Sequence, residues 1–222
     1  TDVGNAAASV EPFARLIGLL AANTQAAGID VLAYSAGAQI VSPGLAKLGQ
    51  GRPGESREQL RQRLRLKQIY CAAPDIDTRR FVDDLGQYVD VVDRVSIAAN
   101  LNDSALRFAT LVHRASRAGR PNPTELDEEQ SSFMIEATQT MGFDLIKVDP
   151  NDIPKLPLRS HAFWYEDPWV SSDLLGLLLL NADPQRRGLD AQSATRGARY
   201  WTFPADFNDR VRRLFAPGKA SR

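Results

Sequence analysis

The chain has 222 residues, 43% of them hydrophobic and 24% charged, the balance of one generous globular domain or two small ones, which argues against disorder, collagen and coiled coil. Lys and Arg number 27 and so do Asp and Glu, so no global field points to nucleic acid or to an anionic membrane, and any partner must be recognised locally. Cys71 is the single cysteine and there are two histidines, which rules out an internal disulfide framework and leaves too few ligands for a thiolate zinc site, so neither metal nor cofactor is expected.

Along the chain the period of the apolar positions switches repeatedly between helical and extended, which predicts an α/β fold with a mostly parallel sheet. Phe13, Leu16, Ile17, Leu20 and Ala21 predict an amphipathic helix ending near Gly28. Ile29 to Tyr34 is short, apolar and bounded by small residues, the pattern of a buried parallel strand. Ala38, Ile40 and Val41 carry a helix as far as Pro43-Gly44, a Gly/Pro-rich loop follows, and a further helix runs from about Glu55 to Leu64. Leu66 to Ala73 is the next strand, ended by Pro74, after which Asp75 or Asp77 caps a helix containing Phe81, Val82 and Leu85. Val91 to Ala99 predicts a third strand, and Ala105, Phe108, Ala109 and Val112 give Ser104 to Arg117 helical spacing. Phe143 to Val148 predicts a fourth strand, Asp149 to Pro157 an irregular loop, and Trp169 to Leu180 an apolar helix. After Asn181 the chain is Arg-rich and turn-rich up to an amphipathic patch, Phe207 to Phe215, and reads as a packed appendage. The longest greasy run, Leu174 to Leu180, is interrupted by Gly176 and is far below the roughly 18 residues of a membrane span. Thr1 to Val10 lacks the basic segment and apolar core of a signal peptide. The chain is expected to be soluble, with cytoplasm and periplasm both open.

Chemistry enters at Ala33-Tyr34-Ser35-Ala36-Gly37, a small-x-Ser-x-Gly pattern placed where a strand gives way to a helix. A nucleophile elbow holds its serine in a strained conformation, and small flanking side chains let strand and helix approach closely. A serine hydroxyl needs a base to remove its proton, usually an imidazole oriented by a carboxylate. Asp103 lies just beyond the third predicted strand and His161 beyond the fourth, so Ser35, Asp103 and His161 fall in the order nucleophile, acid, base, at the carboxyl edge of one parallel sheet. The backbone N–H of Ala36 supplies one donor for an oxyanion, while the second normally comes from a loop after an earlier strand, for which no segment is found.

The same residues resemble a known family, an uncharacterised bacterial group of α/β-hydrolases. The resemblance is carried by Val31 to Gly37 at the elbow, Ala72-Ala73-Pro74-Asp75-Ile76-Asp77, Asn102 to Leu106, and Arg114-Ala115-Ser116-Arg117-Ala118-Gly119. Ser160-His161 followed by aromatics, and Ser171-Ser172-Asp173-Leu174, complete it. Tyr34 stands where the family commonly has a histidine, a position that shapes the pocket. The resemblance implies a three-layer α/β-hydrolase sandwich, partial over residues 1–181 because the N-terminal strands are missing, with residues 182–222 as the Arg-rich appendage. It implies a serine hydrolase acting on a small-molecule ester or acyl substrate. The exposed edge of the Ile29 to Tyr34 strand is then expected to be covered by a missing N-terminal segment or a second chain.

Other assignments compete with these. Asp75 and Asp77 also follow a strand but come one strand early, so Asp75 is read as capping a helix or bracing the loop next to the elbow, and His113 falls inside a predicted helix. Tyr34, Trp164 and Tyr165 are candidate pocket residues, with Trp169 close behind. Arg57, Arg61, Arg63, Arg65 and Lys67 form a basic run read as a solvated face, because no aromatic stacking pattern accompanies it. A non-catalytic binding or scaffolding module on the same fold is the alternative function. A nucleotide-binding domain is disfavoured by the lack of a phosphate-cradling glycine loop and its lysine.

Overall fold

The computed structural model describes residues 2–100, 115–158 and 160–216. In chain order the elements are α1 Asp2–Asn23, β1 Ile29–Tyr34, a single helical turn Ser35–Gly37, α2 Ala38–Gly49, α3 Arg57–Leu64, β2 Leu66–Ala72, α4 Thr78–Tyr88 and β3 Arg94–Ala99. They continue with α5 Glu128–Thr140, β4 Phe143–Lys147, α6 Phe163–Glu166, α7 Pro168–Leu180, β5 Asp190–Ser193, β6 Arg199–Thr202 and α8 Phe207–Phe215. The strands form one six-stranded sheet in the order β1-β2-β3-β4-β6-β5. All neighbours are parallel except β5, which pairs antiparallel with β6.

Helices cover both faces of this sheet, and the strands divide their side chains between them. On one face Val95, Ile97 and Ala99 of β3 pack with Phe81 and Leu85 of α4, Leu45 of α2 and Ala137 of α5. On the other, Tyr70, Ala98 and Ile146 pack with Val170, Leu174 and Leu177 of α7 and with Trp201 and Phe207. Period-two alternation explains the division. It is broken once, between β1 and β2, where Ile29 pairs with Leu66 but Val31 pairs with Ile69. The extra residue in β2 puts Leu66 on the same face as Ile69, as a bulge does, and Asp30 Oδ1 accepts from the Gln68 N–H at 2.9 Å there.

Several expectations are corrected. Helix α1 ends at Asn23, well before Gly28. Helix α2 does not stop at Pro43 but continues to Gly49. A proline inside a helix costs about 3 kcal/mol, yet α2 is anchored on both sides of it by buried Val41 and Leu45. Next to it, a Cβ on Gly44 would stand 2.5 Å from Phe13 of α1, so the two helices cross too closely for any larger residue. Strand β1 is not buried on both faces. Among the described residues it pairs with β2 alone, and Leu32 is 38% exposed. The described end of the predicted Ser104 to Arg117 helix is not helical, since Arg117 forms antiparallel bridges with Asp77 and Arg120. Helix α5 and strands β5 and β6 were not foreseen. Helix α5 carries a readable start signal, the reciprocal capping box of Asp127 and Gln130.

The basic run is paired, with Arg57 and Arg61 exposed and Arg63, Arg65 and Lys67 half-buried. Arg57 bonds Asp90, Arg61 and Lys67 bond Asp93, and Arg63 bonds Glu55. Arg65, at φ +52 where α3 stops, donates to the carbonyls of Ala21, Ala26 and Thr24.

Residues 182–216 are tied in by charge as well as by strands. Arg187 is fully buried between α7 and the sheet, with Nη1 3.2 Å from Asp173 Oδ1 and Nη2 3.3 Å from Asp144 Oδ2. Asp144 also pairs with Arg94 at 2.8 Å and accepts from Ser96 Oγ at 3.0 Å, while the Tyr70 hydroxyl donates to Asp173 at 3.4 Å. Burial pushes the Asp173 carboxyl up and the Arg187 guanidinium opposes it. Among the described residues no helix is long and apolar enough to cross a membrane.

Candidate active site

The site begins where β1 ends. After Tyr34 the chain turns through Ser35–Gly37 directly into α2, and Ser35 has φ +50, the left-handed region that costs a residue with a Cβ roughly 1–2 kcal/mol. Surrounding contacts hold that strain in place. The Ser35 carbonyl accepts from the Asp75 N–H at 3.0 Å. The Asp75 carboxylate is gripped by Arg117 Nε at 2.5 Å, and the Asp75 carbonyl accepts from Arg117 Nη2 and from Gln39 Nε2, each at 2.8 Å. Arg117 is itself buried. Its segment is stitched to the β2–α4 loop by Ala118 N–H to Ile76 O and Gly119 N–H to Pro74 O, both at 2.9 Å.

The steric reading of the elbow holds at one end only. Ala33 is 2% exposed, so a larger side chain has no room. A Cβ on Gly37 would meet nothing within 4 Å among the described residues, so local packing does not demand glycine there. Ala36 follows Ser35 in the first turn of the helical segment, where backbone N–H groups have no carbonyl partner within the helix.

His161 arrives from the other end of the chain. It lies in the loop between β4 and α6, held at its base by Asn100, a fully buried residue at the carboxyl end of β3 whose Nδ2 donates to Ser160 O at 3.0 Å. The result brings His161 Nε2 to 2.8 Å from Ser35 Oγ, across 126 positions of sequence. In the tautomer that carries its proton on Nδ1, Nε2 accepts from the Ser35 hydroxyl. Asp103 and His113 lie outside the described residues. The rival carboxylates have other duties: Asp77 caps α4 by accepting from the Arg80 N–H at 3.0 Å, and Asp75 pairs with Arg117.

Three aromatic rings stand beside this pair. The Tyr34 ring is 5.2 Å from His161, 5.6 Å from Trp164 and 6.2 Å from Tyr165, and Trp164 and Tyr165 meet edge to face at 5.0 Å. Tyr165 is 55% exposed, so the cluster is open to solvent. Trp169 is separate from it, buried against Phe203 and Phe207. The Ser171 to Leu174 segment supports the cluster from below, with Ser171 Oγ donating to Trp164 O at 2.9 Å. Cys71, the single cysteine, is buried within β2, and burial pushes its thiol up to about 12, which keeps it protonated and inert.

Sequence reasoning missed Asn100 and Arg117; of the two roles read for Asp75, helix cap or brace beside the elbow, the structure shows the brace. Arg117 was visible only as part of a motif with no assigned task, and nothing local marks Asn100.

A mostly parallel sheet with helices on both faces, and a strained serine and a histidine meeting at its carboxyl edge, define the α/β-hydrolase class. Residues 1–176 match the model of the family described as "Alpha/beta hydrolase of unknown function (DUF900)", and the chain belongs to that family. No curated protein and no solved structure matches it.

Proposed function

We propose that the chain is a serine hydrolase that cleaves carboxylic esters through an acyl-enzyme. Ser35 Oγ attacks the carbonyl carbon while His161 Nε2 takes its proton. The tetrahedral oxyanion receives a hydrogen bond from the Ala36 N–H. Collapse expels the alcohol, which leaves with the proton returned by His161, and water then attacks the acyl-Ser35 ester by the same route in reverse. Asp103 orients the imidazole and stabilises its protonated form. Tyr34, Trp164 and Tyr165 make the apolar wall against which the substrate lies.

The observation that carries this reading is the 2.8 Å approach of His161 Nε2 to the hydroxyl of a serine held at φ +50. A structural serine has no use for that combination, because the strain is released by any glycine.

Fluorophosphonate labelling of the purified chain, with the modified residue mapped by mass spectrometry, tests it. Stoichiometric labelling at Ser35 that disappears in Ser35→Ala, together with hydrolysis of short-chain aryl esters, is the expected result. A folded chain that takes up no label would overturn the reading in favour of a binding or scaffolding module.

A further inference from the structure

Native interiors are packed to the density of organic crystals, with few voids larger than a water molecule. A cavity of about 330 Å³ interrupts that packing where α5 lies over the sheet, a size at the lower end of the roughly 300–1,000 Å³ usual for ligand pockets. Its walls include Phe81 and Val82 of α4, Ile97 of β3, Phe143 and Leu145 of β4, and Met134 of α5. Neither Ser35 nor His161 is among the described residues that line it.

Two of the hydroxyls in its lining are already engaged. Thr78 Oγ1 shares a hydrogen bond with Ser116 Oγ at 2.6 Å. Thr138 Oγ1 donates to Ile135 O at 2.9 Å and accepts from the Arg199 N–H at 3.0 Å. Those side chains offer little to a polar ligand. The charge in the lining is of one sign. Arg196 and Arg199, from the β5–β6 hairpin, both line the cavity and are exposed. No Asp or Glu is found among its described lining residues, and neither arginine makes an ion pair among the described residues.

We propose that this cavity is a second ligand site that takes a medium-chain carboxylate, its hydrocarbon chain under α5 and its carboxylate paired with Arg196 and Arg199. Apolar walls select the chain by removing it from water. A guanidinium pair selects an anionic head over an alcohol or an amine, because its planar N–H forks match carboxylate oxygens. The ligand could be a free fatty acid or the acid released by ester cleavage at Ser35, and both present the same chemistry to this site.

Displacement of a dansyl-labelled undecanoate by decanoate, followed by fluorescence on the full chain, tests the proposal. Saturable binding is expected, weakened at least about tenfold by the double change Arg196→Glu and Arg199→Glu and abolished by Met134→Trp, which fills the cavity. Decanol and decyltrimethylammonium should compete about tenfold less well than decanoate. The arginine changes lie on the surface, so they remain informative even where Met134→Trp fails to fold. Chain modified at Ser35 by fluorophosphonate should bind the probe as before, which separates this site from the catalytic one. A fatty acid carried through purification and released on denaturation would identify the free acid as the occupant, whereas probe affinity with an empty cavity would favour the product. No saturable binding, binding indifferent to both sets of changes, or binding lost on Ser35 modification would overturn the proposal.

Discussion

Two polar clusters in this molecule use their sequence in opposite ways. Toward the amino ends of β3 and β4, Arg187, Asp144 and Asp173 are closed off from water and answer one another's charge. At the carboxyl edge, Ser35 and His161 are half-buried, hydrogen-bond to each other, and rest on a backbone held at Ser35 away from its preferred conformation. The first arrangement joins the 182–216 segment to the sheet, and its worth is structural. Burying charge in this way is costly, and the cost is recovered only while every partner is present. The second holds strain that other contacts must sustain; Arg65 holds a similar φ of +52 where α3 stops, so what sets Ser35 apart is the imidazole within hydrogen-bond reach of its hydroxyl. The comparison teaches that burial and pairing mark the first cluster as structural, whereas strain, access and a hydroxyl–imidazole contact together are what the proposed reaction asks of the second.

The comparison can be broken most directly at the reactive end. Replacing His161 by Ala is expected to lower ester turnover on the order of 10⁴-fold while leaving the thermal midpoint nearly unchanged, as steady-state kinetics beside calorimetry will report. A large loss of stability would place His161 in the structural class instead. Arg187→Ala should do the reverse. It leaves Asp173 buried without a cation and Asp144 with Arg94 alone, and should remove about 3–5 kcal/mol of stability, read from urea unfolding, with the labelling rate per folded molecule unaltered.

Arg117→Ala sits between the two, because Arg117 is buried yet acts on the elbow through Asp75. A shift of the nucleophile by about 1 Å can cost around 100-fold in rate, so labelling of Ser35 should slow by roughly 10- to 100-fold with only a modest fall in stability. If stability falls and labelling does not, the brace is structural alone. The smallest effect is expected at Asp84, whose carboxyl accepts from Ser42 Oγ at 3.1 Å between α2 and α4. Burial pushes this carboxyl up to about 6. The folded state therefore holds the Asp84 proton more tightly than the unfolded chain does. The stability this contributes is complete below about pH 4 and is lost as the pH rises through about 6. Asp84→Asn should abolish that loss and gain about 1 kcal/mol at pH 7, discounted for partial exposure, with no gain at pH 4. Unfolding curves at the two pH values decide it.

Much of the site's linear logic was legible beforehand. Ser35 between a strand and a helix and His161 beyond the last predicted strand follow from local patterning, and the structure brings the two together with Tyr34, Trp164 and Tyr165. Asp103, third in that order, lies outside the described residues. Asp75 was legible as a brace beside the elbow, but its partner Arg117, and Asn100, were not. Asn100 reaches Ser160 over 60 positions, and Arg117 reaches Asp75 over 42, distances over which no local pattern operates. The β5–β6 hairpin escaped because Trp201 is the single buried residue in its two four-residue strands, so burial imprints no alternation on them.

Sequence alone determined the alternation of helix and strand, the extent of Ile29 to Tyr34 as a strand, and the serine at its end, because apolar period and small-residue boundaries act within a few residues. Only tertiary structure decided that α2 runs through Pro43, that β1 is half-exposed, and that the segment after α7 supplies strands to the same sheet as Ser35. It alone placed a cavity under α5. The physical reason is that local propensities are worth tenths of a kcal/mol to a few kcal/mol each, whereas packing sums many contacts between distant residues and overrides them wherever the two disagree.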